Sequence, residues 1–164
     1  VLATQQPDGP MRQRFVLLKG CDDRGFIFFT NYNSNKAAAM DSNRQVSLLF
    51  PWNELDRQVS ISGTAEKLPA AESDAYFASR PRASQLSAWA SNQSQSIASR
   101  ASLEAQLDEV SARFEGGSVP RPEGWGGYVV NPKRIEFWQG GSDRLHDRFA
   151  YTNDDSWTLE RLQP

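Results

Sequence analysis

The chain has 164 residues and a formal net charge of −2, from 18 Lys and Arg against 20 Asp and Glu. That length suits one domain. An aromatic content of 11% excludes a wholly disordered chain, and the near-neutral balance argues against a general nucleic-acid binder. No apolar run approaches the roughly 18–20 residues that span a bilayer, and the single cysteine, Cys21, excludes an internal disulfide. A cytoplasmic protein with neither a nucleic-acid nor a membrane partner is expected.

Val1 to Thr4 reads as the end of a strand, and the missing initiator Met leads us to expect a preceding segment. Pro7-Asp8-Gly9 marks a turn. Arg14 to Lys19 is a short apolar run bounded by charges, the pattern of a buried strand. Asp22 to Gly25 turns the chain into a second strand, Phe26 to Thr30, making a hairpin. Ser34 is placed to cap a short helix over 35–42. Gln45 to Phe50 reads as a strand, Pro51 to Glu54 as a turn, and Leu55 to Leu68 as a long strand. Pro69 opens a helix reaching about Arg80, Pro81 breaks it, and a second short helix runs to about Ala90. Ser91 to Ser99 has loop composition. Leu103, Leu107, Val110 and Phe114 fall at helical spacing, and Gly116-Gly117 ends that helix. Four strands complete the chain: Tyr128–Val130, Ile135–Trp138, Leu145–Tyr151 and Trp157–Leu162. The strands arrive as consecutive hairpins, so the sheet is expected to be antiparallel, a small closed or split barrel with outer helices.

Several chemistries are absent. One histidine without a cysteine pair cannot make a zinc triad. Neither GxxxxGK[ST], GxGxxG nor GxSxG occurs. An enzyme of this composition would lean on an organic cofactor.

Three constellations remain. Strand alternation over Arg144 to Tyr151 puts Leu145, Phe149 and Tyr151 on one face and Arg144, His146 and Arg148 on the other. The second face is either a cationic surface for phosphate or an electron-rich ring, or the solvated face of an edge strand. Tyr76 and Arg80 are one helical turn apart, and Ser84 follows Pro81 at a fresh helix start with free N–H groups. That trio suits a phosphate monoester, or is a surface arginine beside a half-buried tyrosine. Arg14, Lys19 and Lys36 could hold a second phosphate or stand as solvated charges. Trp138 packs on a flat ring or fills the core.

RFVLLK (14–19), FFTN (28–31), SLLFPW (47–52), RQV (57–59), SRPR (79–82), IEFWQGG (135–141) and RLHDR (144–148) occur in this order. Together they resemble the pyridoxine/pyridoxamine 5′-phosphate oxidase family over essentially the whole chain. The resemblance implies an FMN-binding split β-barrel, mainly β with peripheral helices, as a single domain over 1–164 that forms a homodimer with FMN at the interface. It assigns FMN contacts to Arg14, Phe15, Val16, Leu17, Leu18, Lys19, Phe29, Thr30, Asn35, Lys36, Gln58, Gln93, Ser94, Trp138 and Arg148. Substrate contacts fall to Lys19, Tyr76, Arg80, Ser84, Arg144 and His146, with Arg144 and His146 as the catalytic pair. The implied reaction converts pyridoxamine or pyridoxine 5′-phosphate to pyridoxal 5′-phosphate, with hydride passing to FMN and O2 giving H2O2. Two departures stand out: Asn35 occupies a position usually basic in the family, and the family's N-terminal segment is lacking. The alternatives are a phenazine-type FMN oxidase of the same lineage and a non-catalytic FMN- or pyridoxal-phosphate-binding protein.

Overall fold

A computed structural model describes residues 1–164. Its elements are β1 (Leu2–Gln5), β2 (Met11–Arg14), β3 (Leu18–Asp22), β4 (Gly25–Asn31), α1 (Asn35–Ser42), β5 (Gln45–Trp52), β6 (Arg57–Lys67), α2 (Ala70–Ser79), α3 (Arg82–Ala90), α4 (Arg100–Arg113), β7 (Trp125–Gln139), β8 (Asp147–Asn153) and β9 (Trp157–Leu162). Every pairing is antiparallel, in the order β2-β1-β5-β6-β7-β4-β3, with β8 also on β7 and β9 on β8. No helix is long and apolar enough to cross a membrane.

Strand β7 organises the sheet. Along one edge it pairs with β6. Its other edge is shared, with β4 on residues 125–130 and β8 on residues 134–139. Pro132 lies in the gap and has no N–H to donate, so neither neighbour can run through it. The β6–β7 register shifts at Ser62/Gly63 beside this proline. Any Cβ at Gly63 would collide with the Asn131 carbonyl, so only glycine fits there.

The two ends of the strand path, β2 and β3, are consecutive in the chain and joined by Phe15, Val16 and Leu17 alone. Three residues span only about 10 Å, so the sheet must curl until its edges face each other. The edges do not pair, which makes the barrel split. Val16 lines an apolar cleft there with Leu18, Phe26, Phe28, Leu48 and Phe50. Inside the curl, Ala37 and Met40 of α1 pack on Leu2, Val46, Leu48, Ile61, Tyr128 and Val130. Each fully buried aliphatic side chain there contributes about 1.5–3 kcal/mol. A smaller cluster of Phe77, Val119 and Trp125 seats α2 and α3 over the start of β7.

The antiparallel split barrel with outer helices agrees with the sequence reading, but several local expectations do not. Among the nine strands is β2, which the sequence did not mark as a strand of its own. Arg14–Lys19 is not a buried strand: it is the end of β2, the three seam residues and the start of β3, and Phe15 is 85% exposed. A seam offers no partner to bury it against. Tyr128–Val130 and Ile135–Trp138 are one strand, because β6 pairs through the Pro132 gap from the other side. Strand β5 continues through Pro51 and Trp52, and the expected turn falls slightly later, as a 3-10 turn at Asn53–Leu55. Ser34 sits at the α1 N-cap, but its hydroxyl donates to the Asn31 carbonyl at 2.7 Å rather than capping the helix.

The strand expected over 145–151 starts only at Asp147. Residues 142–144 form a short 3-10 turn in which Asp143 and Arg144 have φ of 55° and 63°. Leu145 is therefore not a core residue; it is 72% exposed. Arg144, His146 and Arg148 do not share a pleated face.

Candidate functional site

The largest cleft, about 620 Å³, lies beside the seam. Its walls bring together Phe15, Val16 and Leu17 from the seam, Lys19 from β3, Phe29 and Thr30 from β4, Lys36 from α1, Tyr76 and Arg80 from α2 and its C-terminus, Ser84 from α3, and Gln93. Thus the apolar seam residues that failed as core residues line the cleft instead.

Within it, Lys36 Nζ donates to Thr30 Oγ1 (3.0 Å), Ser34 Oγ (3.0 Å) and Gln93 Oε1 (2.5 Å). Burial, with help from the Arg14 charge, pulls its pKa down to about 8. Arg14 Nη1 donates to Thr4 Oγ1 at 2.8 Å and to the Leu2 carbonyl at 3.2 Å. Ser94, at φ 74°, accepts from the Asn35 N–H at 3.2 Å and ties the loop after α3 to the start of α1. A smaller pocket lined by Arg14, Asn35, Lys36 and Ser94 opens here. No carboxylate lines it, and an anion is the group that such a donor set fits.

Around Tyr76, the ring stacks on Phe29 with centroids 3.9 Å apart and lies parallel to Trp125 at 6.2 Å. The Arg80 guanidinium lies 4.6 Å from the Trp125 centroid and 5.4 Å from that of Phe77. Arg80 Nη1 is buried and has no hydrogen-bond partner. Burial lowers the Arg80 pKa from its ordinary value, but an arginine keeps its proton, so the unmatched donor is charged. Such a group is rare in folded proteins and calls for an acceptor from outside the chain. Ser84 differs from expectation: its N–H is taken by the Pro81 carbonyl at 2.8 Å, leaving the hydroxyl as the group it can offer.

Gln58, Trp138, Arg144, His146 and Arg148 are elsewhere. Gln58 pairs with Trp138 across β6 and β7, and Trp138 pairs with Arg148 across β7 and β8. The His146 and Trp138 rings are 4.7 Å apart, and His146 Nδ1 accepts from the Gly141 N–H at 3.2 Å. An imidazole with one proton therefore carries it on Nε2. Arg148 donates from Nε to Glu136 Oε1 at 2.8 Å and from Nη1 to the Gln163 carbonyl at 3.1 Å. Arg134 Nη1 donates to Glu136 Oε2, also at 2.8 Å. Burial alone would raise the Glu136 carboxyl pKa; the two arginines outweigh it and hold the group ionised. Gln58 and Trp138 line a separate pocket that shares no residue with the main cleft.

The distance between the halves follows from β7. Arg80 leans on Trp125, its first residue, and His146 on Trp138, thirteen residues later. At about 3.3 Å per residue that is roughly 40 Å of strand, several times the length of one small substrate. Trp125 and Trp138 line separate pockets at the two ends of β7. The sequence reading overlooked Trp125, the floor under Tyr76 and Arg80, although a tryptophan bracketed by Gly124, Gly126 and Gly127 was a visible signal. It also overlooked Glu136, the carboxylate that fixes Arg148.

Residues 1–114 match the family described as pyridoxamine 5′-phosphate oxidase, and residues 125–164 match the pyridoxine 5′-phosphate oxidase C-terminal dimerisation region. A pyridoxine/pyridoxamine 5′-phosphate oxidase of Rubrobacter xylanophilus is 56% identical over 100% of this chain and 76% of its own length. One from Trichormus variabilis is 55% identical over 99% and 77%. Among solved structures, PhzG from Burkholderia lata in complex with tetrahydrophenazine-1-carboxylic acid superposes with a TM-score of 0.93 at 36% identity, covering 99% of this chain and 80% of that one. A pyridoxamine 5′-phosphate oxidase-related, FMN-binding protein from Nostoc punctiforme shares the fold, with a TM-score of 0.79 at 16% identity over 99% and 86%.

Proposed function

The chain belongs to the pyridoxamine 5′-phosphate oxidase family, and on that premise we infer that it oxidises pyridoxamine or pyridoxine 5′-phosphate to pyridoxal 5′-phosphate. FMN is the cofactor we assign to it. Bound FMN supplies a two-electron acceptor that O2 regenerates, releasing H2O2. The observation that carries the choice of substrate is the buried, charged and partnerless Nη1 of Arg80 beside Tyr76 and Ser84. A phosphate monoester supplies the missing acceptor. A phenazine-type substrate, suggested by the superposition on PhzG, carries no phosphate and offers that charge a ring carboxylate in its place.

The residues divide the work. Arg14, Lys36 and Ser94 receive the phosphate of FMN. The seam segment 15–19, with Phe29, Thr30 and Gln93, walls its length. Arg80, Lys19, Tyr76 and Ser84 hold the substrate phosphate. Trp138, Gln58 and Arg148 contact the flavin from the other half-site, while Arg144 and His146 turn the substrate ring toward it. Both halves meet when two copies associate. The C-terminal region is the dimerisation region, and its β7–β9 sheet carries Phe137, Tyr151, Trp157 and Leu159 exposed on one face. Apolar area of that kind is what a stable dimer covers.

The test is spectroscopic. The purified protein should be yellow, and pyridoxamine 5′-phosphate added without oxygen should bleach the flavin band. Arg144→Ala and His146→Ala should keep their flavin and bleach at least about tenfold more slowly, the usual scale for a lost positioning contact. A protein that binds FMN but never bleaches is a binder, and the oxidase reading is then wrong.

Lys36 gives the flavin site a pH dependence of definite sign. In the flavin-free protein it loses its proton near pH 8. A bound phosphate favours the charged form, so FMN uptake above that pH must draw a proton from solvent. FMN affinity should therefore fall as pH rises through 8, by up to about tenfold per pH unit. Fluorescence titration of the stripped protein on both sides of pH 8 reads this directly. Lys36→Arg, which stays charged, should flatten the profile.

A further inference from the structure

We propose that Arg12 is a third cation at the phosphate end of the flavin site, supplying the charge that Asn35 does not. The proposal rests on reading that pocket as the phosphate end of an FMN site. Arg12 and Arg14 are two apart on β2, so their side chains leave the same face of the strand. Arg12 pairs across the sheet with Thr4. The Arg14 guanidinium bonds to that same Thr4, at Oγ1, which brings it toward the position of Arg12. Arg12, Arg14, Asn35, Lys36 and Ser94 line one pocket of about 410 Å³. It shares Phe15, Lys36 and Gln93 with the main cleft, the shape required by a long molecule with a phosphate tail.

The electrostatics point the same way. Elsewhere on the chain Arg24, Arg44, Arg121 and Arg161 each hold a carboxylate. Arg12, Arg14 and Lys36 hold none. The charge of Arg12 is felt by Arg14, whose pKa is lowered first by burial and then by Arg12, and Arg14 in turn lowers that of Lys36. Three neighbouring cations in a pocket without an acid repel one another until an anion sits among them. Asn35, at the first turn of α1, adds an amide but no charge. Arg12 reaches the pocket from the opposite wall, on β2, and needs no rearrangement of the helix.

The test measures flavin affinity, not turnover. FMN and riboflavin, which lacks the phosphate, are titrated into the flavin-stripped chain, read as quenching of flavin fluorescence at low ionic strength. Arg12→Ser should weaken FMN binding by about five- to tenfold, the scale of a charge-assisted contact discounted for exposure, and leave riboflavin binding unchanged. Arg12→Lys should retain most of the affinity. Arg12→Ser combined with Asn35→Arg should recover it, because the charge returns from the other wall. Added salt should shrink the difference between parent and Arg12→Ser. FMN affinity unchanged in Arg12→Ser, or riboflavin weakened equally, overturns the role of Arg12. A parent chain that binds FMN no better than riboflavin overturns instead the reading of the pocket as a phosphate site.

Discussion

Arg80→Ala is expected to lower kcat/KM for pyridoxamine 5′-phosphate by roughly ten- to 150-fold, since a hydrogen bond to a charged group contributes about 1.5–3 kcal/mol. The loss should fall mainly on KM. The phosphate is remote from the oxidised carbon, so it is held alike in the ground and transition states. Pyridoxamine without its phosphate should lose little. FMN content should not change, because Arg80 shares no hydrogen-bond partner with Arg14 or Lys36. Stability should change little, since the substitution removes an unmatched Nη1 donor together with the stacking of the guanidinium on Trp125 and Phe77. Steady-state kinetics on both substrates decide the matter. Equal losses on the two would mean that Arg80 supports the fold through Trp125 and Phe77 rather than gripping phosphate.

The second large effect is a recovery of activity. Arg80 and Arg148 belong to different halves of the site, at opposite ends of β7. If a working site takes one half from each copy, Arg80→Ala and Arg148→Ala homodimers are both impaired at both sites. Mixed dimers concentrate the two lesions in one site and leave the other intact. Dissociating and reassociating an equal mixture makes half the dimers mixed, so about a quarter of the parent activity should return. Two variants of the same half, Arg80→Ala with Tyr76→Phe, should show no recovery beyond their average. Failure of the first mixture to recover, with subunit exchange verified by a tagged chain, would place both halves in one subunit's site and contradict the strand geometry.

Much of this was legible in the sequence. The β3–β4 hairpin, the helices 35–42, 70–79, 82–90 and 100–113, and the antiparallel character rest on turn residues, prolines and local spacing. These are short-range preferences that each segment carries with it. The ordered motifs from RFVLLK to RLHDR pointed to the family, and the family comparisons agree.

What stayed hidden depended on residues distant in the chain. An apolar run such as Phe15-Val16-Leu17 looks buried by composition, and only the curl of the sheet shows that it bridges an unpaired seam and faces a ligand cleft. Alternation assigned Arg144, His146 and Arg148 to one face, but the positive φ angles at Asp143 and Arg144 keep the strand from forming until Asp147. How far the Arg80 and Lys36 clusters lie from the His146–Trp138 pair was not legible, because sequence order carries no distance. Strand β7 supplies the distance: it holds Trp125 and Trp138 at opposite ends of one extended segment. The sequence thus determined which side chains carry charge, stacking surface and turn geometry, all properties of single residues and their near neighbours. Only the tertiary structure decided which of them share a pocket, because pairing across β7 and closure at the seam are set by contacts between segments far apart in the chain.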